Sequence, residues 1–137
     1  MFSLLLIVKN SRFLFFKRHN EDVSYASTWG LPGGSVESGE TPVEGLIREL
    51  QEELCMDITE FTLLKKYKRG NSKIINIYYL IDDEFDETQI RLNHEHTEYR
   101  YFTYKEILEG KEFIPGTIEI INDYIKNYYS KEYIVGN

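Results

Sequence analysis

The run Gly33–Met56, GGSVESGETPVEGLIRELQEELCM, constrains this chain more than any other stretch, because a flexible loop chemistry changes abruptly into a helical one within it. Its first part carries Gly33, Gly34 and Gly39 with Ser35 and Ser38 among them, which predicts a loop rather than regular structure. Its second part predicts a helix. Thr41 suits an N-cap, Pro42 suits the first turn, and Glu44 falls three residues after the cap to complete a capping box. From there Val43, Leu46, Ile47, Leu50 and Leu54 recur at helical spacing and define an apolar face.

Glu49, Glu52 and Glu53 project from neighbouring turns of that helix within an arc of roughly 100°. The arc is expected to point away from the apolar stripe. Like charges at these spacings each cost the helix about 0.2–0.5 kcal/mol, and Arg48, four residues before Glu52, offsets only part of this. Two readings are open. One is a solvated acidic face, the common fate of such runs. The other is a site that gathers a divalent cation, for which oxygen-only ligands favour magnesium, manganese or calcium over zinc. The adjoining glycines favour the second, since they let backbone atoms approach a ligand closely.

These residues resemble the signature of the Nudix hydrolase family, G-x5-E-x7-R-E-U-x-E-E-x-G-U, where U is a bulky apolar residue. Gly34 stands at the first glycine, Glu40 at the first glutamate, then Arg48, Glu49, Leu50, Glu52, Glu53 and, as the final U, Met56. The segment Trp29-Gly30-Leu31-Pro32-Gly33 is similar to the family's usual lead-in. Cys55 departs from the pattern, occupying the place of the last glycine. That position is expected just past the helix end in the left-handed conformation, so Cys55 implies either a cap strained by about 1 kcal/mol or a helix that ends differently.

The resemblance implies a Nudix-type α/β/α sandwich with a mixed β-sheet. It implies a Mg²⁺-dependent hydrolase, with Mn²⁺ as a substitute, acting on the phosphoanhydride bond of a nucleoside diphosphate linked to another group. The substrate classes are nucleoside triphosphates, nucleotide sugars and dinucleoside polyphosphates. By the same resemblance, Glu49, Glu52, Glu53 and the backbone oxygen of Gly33 are the metal ligands, and Arg48 holds the carboxylates in place. The catalytic set is Glu49, Glu53, Glu95 and Arg48, with Glu49 or Glu95 as the base. Glu95 best matches a family loop written E-H-x-x-Y-R-W, and Glu98 matches it second; a solvated loop glutamate is the other reading. Arg18, Gly34, Glu98 and Tyr78 are candidates for substrate contact. Arg18 closes a predicted strand and reads either as a surface arginine or as a guanidinium fork for phosphate, as in related families. A catalytically silent nucleotide-binding sensor of the same fold is the alternative, and the intact glutamates argue against it. No proline lies between Pro42 and Pro115, which weakens an ADP-ribose pyrophosphatase assignment.

Elsewhere the chain supplies scaffolding. Its 137 residues suffice for a single domain over 1–137. A net charge of −7 argues against a nucleic-acid polymer as partner. The lone cysteine excludes an internal disulfide and suits a packing residue better than a nucleophile. Met1–Val8 is apolar but far shorter than a membrane span and reads as a buried strand, so a cytoplasmic location is expected. Arg12–Arg18, Trp29–Leu31, Phe61–Arg69 and Lys73–Ile81 are further strands, the last two joined as a hairpin by Gly70-Asn71-Ser72. His19–Thr28 reads as a polar loop and Asp82–Gln89 as an acidic turn-rich connection. Tyr67, Tyr78 and Tyr79 suit either base stacking or packing. His94 and His96 flank Glu95, a weak signal for zinc. Tyr104–Leu108 predicts a short helix ended by Gly110, and Thr117–Tyr129 a longer one with Ile118, Ile121, Tyr124, Ile125 and Tyr128 on one side. Ser130–Asn137 reads as a frayed tail, and the aromatic strands make a homodimer plausible.

Overall fold

The computed structural model describes residues 1–19, 27–110 and 112–129, so most of the expected polar loop and all of the expected tail lie outside the described residues. The N-terminal strand β1 (Phe2–Lys9) is central, and its alternation explains the layering. Leu5 and Ile7 face one core and Leu6 and Val8 the other. The following strand β2 (Arg12–Arg18) repeats the pattern, with Leu14 and Phe16 on the first side and Phe13 and Phe15 on the second. Period-2 side-chain direction makes a continuous apolar run two-faced.

Strands β3 (Trp29–Gly30) and β4 (Gly33–Ser35) follow, then helix α1 (Pro42–Leu54), the hairpin β5 (Thr62–Arg69) and β6 (Lys73–Ile81), strand β7 (His96–Phe102), and helices α2 (Tyr104–Glu109) and α3 (Thr117–Tyr124). Among the described residues seven strands form one mixed sheet. β1 runs parallel to β6 along its length, while its other side is shared by β2 and β4. β2 likewise leaves β1 after three residue pairs, accepts β3 on that side, and pairs with β7 on the other. The sheet therefore splays, and the β3–β4 connection enters the gap: the Leu5 amide donates to the Pro32 carbonyl at 3.0 Å.

Helix α1 covers one face with Leu46, Leu50 and Leu54. Ile107 of α2 and Ile121 and Tyr124 of α3 cover the opposite face, where Trp29 lies edge-on to Phe102. This is the α/β/α sandwich with a mixed sheet. The strand order differs from expectation by one element. Gly33–Ser35 was expected to be irregular, yet it is strand β4, because the open edge of β1 offers hydrogen-bond partners that outweigh the low strand propensity of glycine. Val43 and Ile118, expected on apolar faces, are exposed. Tyr128, on the π turn Ile125–Tyr129 that follows α3, stays on the expected side, stacked on Tyr124 and edge-on to Tyr79, but at the rim, where it is partly exposed.

Candidate active site

The N-terminus of α1 begins with the capping box expected. The Thr41 hydroxyl accepts from the Glu44 amide at 3.1 Å, and the Glu44 carboxylate accepts from the Thr41 amide at 2.8 Å. The helix thus starts at a defined residue, which sets the rotation of every carboxylate along it.

Strand β4 lies close against the acidic side of α1, and its two glycines make that approach feasible. A Cβ at Gly34 would come within 2.7 Å of the Glu49 carboxyl carbon. At Gly33, whose φ is +133°, a Cβ would sit 2.1 Å from the Ser3 carbonyl oxygen. Gly33 turns its amide to the site and donates to Oε2 of Glu53 at 2.8 Å.

The C-terminus of α1 recruits a second segment. Cys55 adopts the left-handed conformation with φ 55°, and its amide donates to the Gln51 carbonyl at 3.0 Å. The left-handed cap expected at this position is therefore present without its glycine. Cys55 is exposed, so it is not the packing residue expected. The carbonyls of Glu53 and Leu54, left without helical donors, accept from the amides of Asn93 at 3.2 Å and Arg91 at 2.9 Å. This ties residues 91–95 to the helix end. The Asn93 side chain then accepts from the Glu95 amide at 3.0 Å, and the Glu95 carbonyl accepts from the His19 amide at 2.9 Å. As a result, carboxylate oxygens of Glu53 and Glu95 and a ring nitrogen of His96 lie within 4.8 Å of one another.

The electrostatics follow from this crowding. Glu53 is only 2% exposed. Burial, then a hydrogen bond to Glu95 and the charges of Glu95 and Glu49, push its carboxyl up to about 9, against the opposing pull of the Gly33 amide. Burial also raises Glu49, with Glu52 and Glu95 adding to the effect and Arg48 opposing it. Burial lowers His96 to about 4, and the nearby Arg18 acts in the same direction. Arg48 gathers the surrounding acids: its Nε meets Glu40 at 2.8 Å, and its Nη1 reaches Glu49 at 3.2 Å and Glu52 at 3.3 Å. Its Nη2 donates to the Ser35 carbonyl at 3.0 Å. One guanidinium among these carboxylates leaves net negative charge in a sheltered place. A divalent cation fits such a donor set, since it would replace the proton that burial forces onto Glu53.

Glu49, Glu53, Glu95, Gly33, Gly34 and Arg48 are thus brought together. Glu52 joins only at the exposed rim, through Arg48. Glu53 was expected on a face turned from the apolar stripe, and it is instead buried beside Leu50 and Leu54. Seven residues is close to two turns, so Glu53 lies within about 20° of Leu46 on the helix wheel. Arg18 ends β2 opposite His96 in the ladder. Glu98 is not in the cluster: it is exposed on β7, paired with Lys17. Tyr78, considered for base contact, is 7% exposed and packs edge-on to Phe61 beneath α1, in the core. His94 is exposed while His96 is buried, so the two histidines separate. Sequence reasoning gave Glu40 no partner and overlooked Asn93. The first sits eight residues before Arg48 in a loop, too far for helical spacing to reveal, whereas an Asn two residues before a site glutamate is a recognisable turn-former.

No described helix is long and apolar enough to cross a membrane. The NUDIX domain family matches residues 2–123. An 8-oxo-dGTP diphosphatase of Escherichia coli strain K12 is 38% identical over 71 residues, which cover 50% of this chain and 55% of that protein. A nucleoside triphosphatase, NudI, of Escherichia coli O139:H28 is 32% identical over 107 residues, covering 70% of this chain and 76% of that protein. Of the first curated relatives the chain spans 32%, 55% and 62% of their own lengths. In fold, the MutT protein of Methanosarcina mazei Go1 superposes with a TM-score of 0.74 at 22% identity, over 92% of both chains. With the family's glutamates gathered at the end of α1 and its domain matched across nearly the whole chain, this protein belongs to the Nudix family.

Proposed function

We propose that this chain is a Mg²⁺-dependent hydrolase, with Mn²⁺ as a substitute ion, that cleaves a phosphoanhydride bond of a nucleoside triphosphate. The observation that carries this reading is the packing of Glu49 and Glu53 against the two glycines of β4, with Glu95 hydrogen-bonded to Glu53. The names of the two Escherichia coli relatives support a triphosphate, and that of a Mus musculus relative, a bis(5'-nucleosyl)-tetraphosphatase 28% identical over 91 residues, makes a dinucleoside polyphosphate the second candidate.

In this reading Glu53 and Glu95 hold the cation, with the backbone oxygen of Gly33 and, from the exposed rim, Glu52 as further ligands. A bound magnesium ion supplies Lewis acidity to the phosphate oxygens and to water. Glu49 accepts the proton of the attacking water, and the upward shift that burial gives its carboxyl makes it a better base near neutral pH. Arg48 fixes the carboxylates by its fork of hydrogen bonds. Arg18, at the end of β2, binds phosphate oxygens.

The test is a panel of nucleoside triphosphates, nucleotide sugars and dinucleoside polyphosphates, incubated with Mg²⁺ and resolved by mass, with ¹⁸O water marking the attacked phosphorus. Mg²⁺-dependent cleavage of a triphosphate, abolished by chelation, is the expected result. Nucleotide binding by calorimetry without any product removes the proposal in favour of a silent sensor.

A further inference from the structure

The acidic cluster contains one group that its carboxylates do not explain. His96 opens β7 and is 6% exposed, and its Nδ1 is buried without a hydrogen-bond partner. An unsatisfied buried polar atom costs about 1–3 kcal/mol, so its retention calls for an account. The ring has little freedom: it packs against Phe16 with centroids 5.6 Å apart, and its backbone is paired with Arg18. Beside it the Glu53 carboxylate is held by the Gly33 amide, and the backbone amide of Glu95 donates to the Asn93 side chain.

We propose that His96 is a nitrogen ligand at this site and forms with Glu53 and Glu95 a mixed nitrogen–oxygen set that favours Co²⁺ over Mg²⁺. The inference rests on the reading of the cluster as a cation site and adds the identity of one donor and the ion preference. The donor atoms lie within 4.8 Å of one another, and ligands each roughly 2.0–2.2 Å from one ion stand at most about 4.4 Å apart, so a small inward shift closes the set on an ion. Ligation would satisfy the ring nitrogen at no cost in rotamer freedom. Imidazole strengthens binding along the transition series, whereas magnesium keeps oxygen ligands and its own waters. His94, two residues away and exposed, has no place in the set.

Mn²⁺ added to the metal-free chain and examined by electron spin-echo spectroscopy reads the donor directly. A ¹⁴N coupling is expected in the parent, changed by ¹⁵N-histidine labelling, retained in His94→Ala and His19→Ala, and lost in His96→Gln. The labelled parent decides the matter should His96→Gln fail to fold. Competition calorimetry is expected to show the affinity for Co²⁺ relative to Mg²⁺ falling about 10-fold or more in His96→Gln. Stoichiometric Mn²⁺ with no nitrogen coupling overturns the role of His96 and leaves the cation site standing. Absence of any Mn²⁺ or Mg²⁺ binding overturns both.

Discussion

The Gly33 amide donates to Oε2 of Glu53 at 2.8 Å, across the gap between β4 and the last turn of α1. This pins a buried carboxyl between a strand and a helix, with a second acid, Glu95, hydrogen-bonded to it. The pair is comfortable only when a proton or a cation lies between them.

That arrangement makes the metal-free protein pH-sensitive. The folded value of Glu53, about 9, stands above the ordinary 4.5, so the folded state holds a proton that the unfolded chain releases. Stability from this group is complete below about 4.5 and declines as pH rises towards 9, by at most ~1.4 kcal/mol per pH unit. Urea unfolding at several pH values without metal is expected to show the decline in the parent and a flatter profile in Glu53→Gln. Identical profiles would contradict the burial of an acid here.

Gly34→Ala tests the close approach of β4. The backbone tolerates alanine there, but the new methyl would meet the Glu49 carboxyl at 2.7 Å. Circular dichroism is expected to remain native while turnover falls by about 10-fold or more. Unchanged turnover would mean that Glu49 is free to move without consequence.

Arg48→Lys keeps the charge and removes the fork. Lysine cannot serve Glu40, Glu49, Glu52 and the Ser35 carbonyl together. Turnover is expected to fall about 10-fold or more with a smaller change in KM. An equal rise in KM with kcat preserved would assign Arg48 to substrate binding instead.

Cys55→Gly concerns the fold alone. A non-glycine residue at φ 55° carries strain, so glycine is expected to stabilise the protein by about 1 kcal/mol, raising Tm by a few degrees with activity unchanged. A lower Tm would show that the cysteine side chain contributes packing that outweighs the strain.

The legible parts of this molecule are those governed by near neighbours in the chain. The capping box at Thr41, the β5–β6 hairpin and the two-faced strands β1 and β2 follow from local pattern, whereas the left-handed position at Cys55 follows from the family resemblance. Strand β4 was not legible, because only the open edge of β1 makes Gly33–Ser35 extended. The burial of Glu53 follows from its seven-residue spacing to Leu46, although the charge of the acidic run around it is the pattern of a solvated face. The positions of Glu95 and His96 depend on Arg91 and Asn93 capping a helix nearly forty residues earlier, a long-range contact with no signal in spacing. Tyr78 illustrates the opposite case: a strand aromatic fits a ligand-stacking role or a core, and only the packing of α1 above it decides.

The most direct test of the whole account is ³¹P NMR of a nucleoside triphosphate incubated with saturating Mg²⁺ and either the parent chain or Glu53→Gln, both verified as folded. The account predicts steady appearance of product phosphorus signals with the parent and a rate lower by orders of magnitude with Glu53→Gln. Equal rates for the two proteins would contradict it.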